Sequence, residues 1–162
     1  MRRRGIFEVP SQDQLNSLAS ELFILFARCE YALKSLGFIA PLGKKGGFRI
    51  DWPAFYQIYG HVIFENPNDA LREAVEYLSQ HPPKKQIING SRQLDWVDDD
   101  RYQDAQWGVI NRVTTVRNNL FHGGKFGGEW CDPERSYKLI CAALTVLKEI
   151  ASSFPIRDQL IV

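Results

Sequence analysis

Seven residues, Leu15, Leu18, Leu22, Leu25, Cys29, Leu33 and Leu36, recur at alternating intervals of three and four. That interval follows one face of an α-helix and is foreign to a strand, whose faces alternate every two residues. It predicts a helix from about Asp13 to Leu36, ended by Gly37. An apolar stripe this long has to be covered by other helices. A chain of 162 residues buries roughly two-thirds or more of its unfolded surface, so it needs neither a metal nor a disulfide to hold together. The sequence reads as one all-α domain over residues 1–162, with residues 1–12 as an extended N-terminal arm.

The remaining breaks divide the chain into further helices. The stretch 41–47, with three glycines and a proline, reads as a loop. Asp51 caps a second helix from Trp52 to about Phe64, with Pro53 tolerated in its first turn. Asn66-Pro67-Asn68 breaks it. A third helix runs from about Asp69 to Gln80 and is stopped by His81-Pro82-Pro83. Asp98-Asp99-Asp100 is read as opening a fourth, long helix, because aspartates there cap free amides and complement the helix dipole. Its apolar side carries Val109, Ile110, Val113, Val116 and Leu120, and Gly123-Gly124 ends it. Asp132-Pro133 starts a fifth helix that reaches about Ser153. The expected architecture is an up-and-down bundle of four to five helices. Between residues 84 and 96, Asn89-Gly90 flanked by Ile87-Ile88 and Leu94 fits a short hairpin or an ordered loop equally well.

Composition excludes several classes of function. The net charge is +1, so any nucleic-acid contact has to be local. The three cysteines form no CxxC pair. Cys29 and Cys141 lie on apolar stripes, where cysteine acts as a small hydrophobe, and the set fits a reducing cytoplasm. Arg2-Arg3-Arg4 resembles the basic start of a signal peptide, but Glu8, Pro10 and Asp13 follow where an apolar segment would have to be. The apolar run 22–27 is too short to span a bilayer. No membrane association and no cofactor are expected.

Chemistry concentrates in residues 116–125, Val-Arg-Asn-Asn-Leu-Phe-His-Gly-Gly-Lys. Arg117 lies seven residues after Ile110 and four after Val113, at the edge of the apolar stripe, where a guanidinium is costly unless paired or opened to a cleft. Asn118 and His122, four apart, are neighbours on an adjacent face. A fixed cation, an amide and an imidazole in this arrangement suit cleavage of a phosphodiester without a metal. The imidazole takes the proton of a ribose 2′-hydroxyl, the guanidinium stabilises charge on the phosphate, and Asn118 orients either group. Lys125, Asn119, Lys44 and Lys45 are the substrate-binding candidates, and Glu30 on the first helix is a possible support for Arg117.

Arg117-Asn118, four further residues from the arginine and then His122, near the end of a long helix, resembles the signature of the HEPN superfamily (higher eukaryotes and prokaryotes nucleotide-binding domains). The likeness is tight over residues 117–125 and loose over much of the rest. It implies a metal-independent endoribonuclease, a toxin or anti-phage effector, working as a homodimer whose two motifs face one cleft. Arg117 would then stabilise the transition state, His122 would be the acid or base, and Asn118 would support them. RNA would be the substrate, and any antitoxin would be a separate chain. Other members bind nucleotide, RNA or a protein partner without cutting.

Other conspicuous residues have plainer readings. Glu30 and Lys34 form an ordinary i,i+4 pair. His61 and Glu65 lack a third metal ligand and read as a surface pair. Trp52, Phe55, Tyr56 and Tyr59 suit a core or a dimer surface better than base stacking. The basic segments Lys44-Lys45 to Arg49 and Lys84-Lys85 would hold RNA phosphates if they border the Arg117 cleft. Asp98 to Asp100 read as a cap and not as a magnesium site, since consecutive side chains diverge at a helix start.

Overall fold

A computed structural model describes residues 9–43, 46–99, 107–121, 130 and 132–160. The chain is mostly helical. Its elements run α1 (Gln12–Ser35), β1 (Ile39–Leu42), β2 (Gly47–Ile50), α2 (Trp52–Phe64), α3 (Asp69–Gln80), β3 (Lys85–Ile88), β4 (Leu94–Val97), α4 (Gly108–Phe121), α5 (Pro133–Ser152) and α6 (Ile156–Leu160).

α1 begins where Ser11 accepts a hydrogen bond from the Gln14 amide, so residue 12 belongs to the helix and not to an arm. Residues 1–8 lie outside the described set. Asp51 accepts from the Ala54 amide and Asn68 from the Leu71 amide, capping α2 and α3. Asp132 does the same for α5 through the Arg135 amide, with a backbone φ of +51° that Asp tolerates better than most residues.

α5 is the centre of the domain. It packs against α1, α3, α4 and α6, which is why so much of its circumference is buried: Leu139, Ile140, Ala143, Leu144, Val146, Leu147 and Ile150 all lie inside. From α1 the stripe residues Leu15, Leu22, Cys29 and Leu33 join them, with Phe26. Leu18, Leu25 and Leu36 only border the core. Val109, Ile110, Val113 and Val116 complete it from α4. Trp52 and Phe55 are buried, and Phe38 and Tyr59 set their rings against Phe55. Cys29 is fully enclosed, and burial pushes its thiol up to about 12.

The expected all-α bundle needs correction at residues 39–50, and of the two readings of residues 84–96 the hairpin is the one found. Residues 39–50 are not a simple loop. They form an antiparallel hairpin in which Ile39 faces Ile50 and Leu42 faces Gly47, with Gly43 and Gly46 at positive φ in the turn. A second hairpin, β3–β4, pairs Lys85 with Val97 and Ile88 with Leu94. Its loop is tied by Asn89, whose side-chain oxygen accepts from the amides of Ser91 and Gln93, and not by a two-residue Asn-Gly turn. The described part of α4 runs from Gly108, with the Trp107 carbonyl accepting from the Ile110 and Asn111 amides, while Asp100, the last of the three aspartates expected to open it, and residues 101–106 lie outside the described set. Beyond Ser153 the chain makes one more short helix, α6, where only a proline stop is expected. Among the described residues no helix is long and apolar enough to cross a membrane.

Candidate functional site

The last two turns of α4 carry Arg117, Asn118 and Asn119. The wheel that puts Val113 and Val116 into the core leaves these three half-buried. Arg117 points toward α1. Its guanidinium carbon stands 5.1 Å from the ring centre of Phe26 and 5.1 Å from that of Phe121. Arginine is well suited to such a slot, because its flat, weakly hydrated head tolerates aromatic faces. Nη1 donates to Oδ1 of Asn118 at 2.9 Å. Nε is buried and, among the described residues, has no hydrogen-bond partner. A buried donor left unpaired costs about 1–3 kcal/mol.

Among the described residues no carboxylate forms an ion pair with this cation. Glu30 is half-buried on α1 but forms no ion pair with Arg117 among the described residues, so the support expected of it is not made. Asn118 does contact the arginine, as an acceptor on its outer edge. His122 and Lys125, and likewise Lys44 and Lys45, lie outside the described residues.

In front of the guanidinium, between α1 and α4, opens a groove of about 560 Å³. Its walls are Leu22, Phe23, Ile24, Leu120 and Phe121, with Arg117 the one charged residue among them. Phe23 stacks on Phe121, ring centres 5.4 Å apart and nearly parallel. A second groove, of about 480 Å³, shares Phe23 and Ile24 and continues along α1 past Tyr31 to α6. Arg117, without an ion-pair partner among the described residues, thus sits at one end of an exposed, largely apolar strip on α1 and α4 that also carries Arg28.

Asn119 faces the opposite way. Its Nδ2 donates to the Lys84 carbonyl at 2.7 Å and anchors the β3–β4 hairpin to the end of α4. The basic pair Lys84-Lys85 is therefore brought beside this segment, but on the far side of α4 from the Arg117 groove. Arg49 is exposed on β2, in register with Ala40. Trp52 and Phe55 are too deeply buried to stack on a base. His61 and Glu65 are exposed and joined only by a backbone hydrogen bond within α2. No cluster of three metal-ligating side chains exists among the described residues.

Two features of the site were not legible in the sequence. Phe26 and Phe121 as the arginine's slot needed the α1–α4 packing to be known. Arg112, half-buried on α4 two turns before Asn119, has its pKa lowered by burial; the helical pattern alone gave it no distinction from a surface arginine. In comparisons with known proteins, no family model matches the chain, and no curated protein or solved structure is significantly similar to it.

Proposed function

We propose that the protein is a metal-independent endoribonuclease of the HEPN type, cleaving RNA by attack of a ribose 2′-hydroxyl at a site built on Arg117, Asn118 and His122. The observation that carries this reading is the state of Arg117: half-buried, with no carboxylate partner among the described residues, an unpaired Nε and a groove in front of it. A structural arginine in such a place is normally matched to an acid, since an unmatched desolvated cation destabilises the fold. An anion that arrives with the substrate supplies the missing charge. In the reaction, His122 takes the 2′-hydroxyl proton, the 2′-oxygen attacks phosphorus and the 5′-oxygen leaves with a proton. A cyclic phosphate and a 5′-hydroxyl end result. Arg117 stabilises the charge on the phosphate oxygens throughout.

The apolar strip beside Arg117 supports a homodimer. Phe23, Ile24 and Tyr31 are each more than two-fifths exposed, and a surface of this kind commonly marks an interface. Two copies joined there would bring their arginines toward one cleft. The same strip is what favours the second reading, a non-catalytic HEPN module that docks a protein partner. A role as a toxin or defence effector, with a separate antitoxin chain, follows the nuclease reading and is tested with it.

The discriminating experiment incubates purified protein with RNA in EDTA, alongside Arg117→Ala and His122→Ala. Cutting by the wild type, lost in both variants while both remain folded, supports the nuclease. A folded wild type that binds RNA or a partner but does not cut points to the binding module. Toxicity on overexpression in bacteria, abolished by His122→Ala, is an independent check.

A further inference from the structure

A second cleft, of about 410 Å³, lies across α4 from the Arg117 groove, between the β3–β4 hairpin, α4 and the start of α5. Its volume falls in the range of small-ligand clefts. Trp96 faces Gln86 across the hairpin. Lys84, the residue just before β3, and Trp96 on β4 both border the cleft. Asn119 of α4 and Arg135 of α5 line it opposite them. Pro83 and Leu139 supply apolar walls.

The polar equipment is mixed. Arg135 donates through Nη2 to the Pro82 carbonyl at 3.0 Å, which holds its side chain in place while other guanidinium N–H groups remain. Lys84 is exposed and uses only its carbonyl, in the bond from Asn119. Asp132 caps α5 through Oδ1. A carboxylate in the lining repels a bare phosphate but accepts hydrogen bonds from a base amino group or a ribose hydroxyl. Half-buried Trp96 adds an aromatic face. An aromatic platform with flanking cations is how sequence-tolerant proteins hold unpaired bases.

We propose that this cleft is a subsite for single-stranded RNA, taking one unpaired base against Trp96 with the neighbouring phosphates on Lys84 and Arg135. The inference rests on the RNA reading above and extends it: the strand crosses the C-terminal end of α4, about 10–12 Å thick, from the Arg117 groove to the Trp96 cleft. Base-paired RNA cannot enter, because its bases are already stacked.

The test measures binding of a short oligonucleotide, 2′-O-methylated throughout so that it cannot be cut by 2′-hydroxyl attack, to wild type, Trp96→Ala, Trp96→Phe and Lys84→Glu. Cleavage of the unmodified RNA is followed in parallel. Trp96→Ala weakens binding about 5- to 150-fold, Trp96→Phe retains most of it, and Lys84→Glu lowers the salt dependence by about one ion. Duplex RNA of the same length binds wild type and Trp96→Ala alike. Lys84→Glu changes an exposed side chain and keeps the test valid if Trp96→Ala misfolds. If the wild type cuts RNA while folded Trp96→Ala and Lys84→Glu bind as well as it does, the subsite is overturned and the nuclease stands. If the wild type does not cut but binds in a Trp96-dependent way, the subsite stands and the nuclease falls. Absence of both binding and cutting overturns both.

Discussion

Replacing Arg117 with methionine separates a functional arginine from a structural one. The change removes two cation–π contacts, with Phe26 and Phe121, each worth about 0.5–1 kcal/mol at a partly exposed site. It also removes the hydrogen bond to Asn118, worth about 1 kcal/mol. Against these losses, it eliminates the buried unpaired Nε, which costs about 1–3 kcal/mol. Methionine has a similar reach, and its sulfur makes favourable contacts with the same two rings. The terms nearly cancel, and the net change is within about 1 kcal/mol. For a domain of this size that moves the midpoint of thermal unfolding by about 2–4 °C. Differential scanning calorimetry reads the shift, and the RNA assay in EDTA reads the activity. Unfolding near the wild-type temperature with cleavage abolished is the expected pair of results. A fall of more than 10 °C would refute the reasoning, because Arg117 would then be holding the fold together.

Three further outcomes follow from the packing and the exposed strip. Phe23→Asp places a charge on the α1–α4 strip and converts a dimer to a monomer in light scattering; a wild type already monomeric at tens of micromolar removes the dimer. Gly60→Ala brings a Cβ to 2.8 Å from two Tyr56 ring carbons. Although alanine is the better helix former by about 1 kcal/mol, moving a ring stacked on Phe64 costs more, so a net loss of about 1–2 kcal/mol is expected in urea unfolding. Cys29 keeps its proton to about pH 12 in the folded state, against 9.0 unperturbed. Its folded pKa is raised, so its contribution to stability is complete below pH 9 and is lost as pH climbs toward 12. The difference in stability between wild type and Cys29→Ala therefore shrinks across that window, and a difference constant from pH 8 to 11 contradicts the burial.

Helices were the legible part of this fold. α1, α2, α3 and α5 follow from leucine spacing, from the caps Asp51 and Asp132 and from the break at Asn66-Pro67-Asn68, because caps, breaks and stripes are local properties of the chain. The hairpin at 39–50 was hidden by its own turn: the glycines that read as loop are the ones a tight reversal requires, and strands of four residues carry too little alternation to announce themselves. Val109 and Ile110, expected on the apolar side of α4, are buried in the core. At the candidate site, Arg117 at the edge of the apolar stripe could be read from the helical wheel. The slot between Phe26 and Phe121, and the partnering of Asn119 with Lys84 instead of a substrate, depend on which helices become neighbours.

If Arg117 meets its missing anion in the phosphate of an RNA undergoing 2′-hydroxyl attack, the ends of the cleaved RNA carry the signature of that reaction. Mass spectrometry of the ends left on a defined single-stranded RNA, after incubation in EDTA, tests it most directly. The expected result is 2′,3′-cyclic phosphate and 5′-hydroxyl ends with wild type, and intact RNA with folded Arg117→Met. Cleavage that persists in Arg117→Met, or ends bearing a 5′-phosphate, would contradict it.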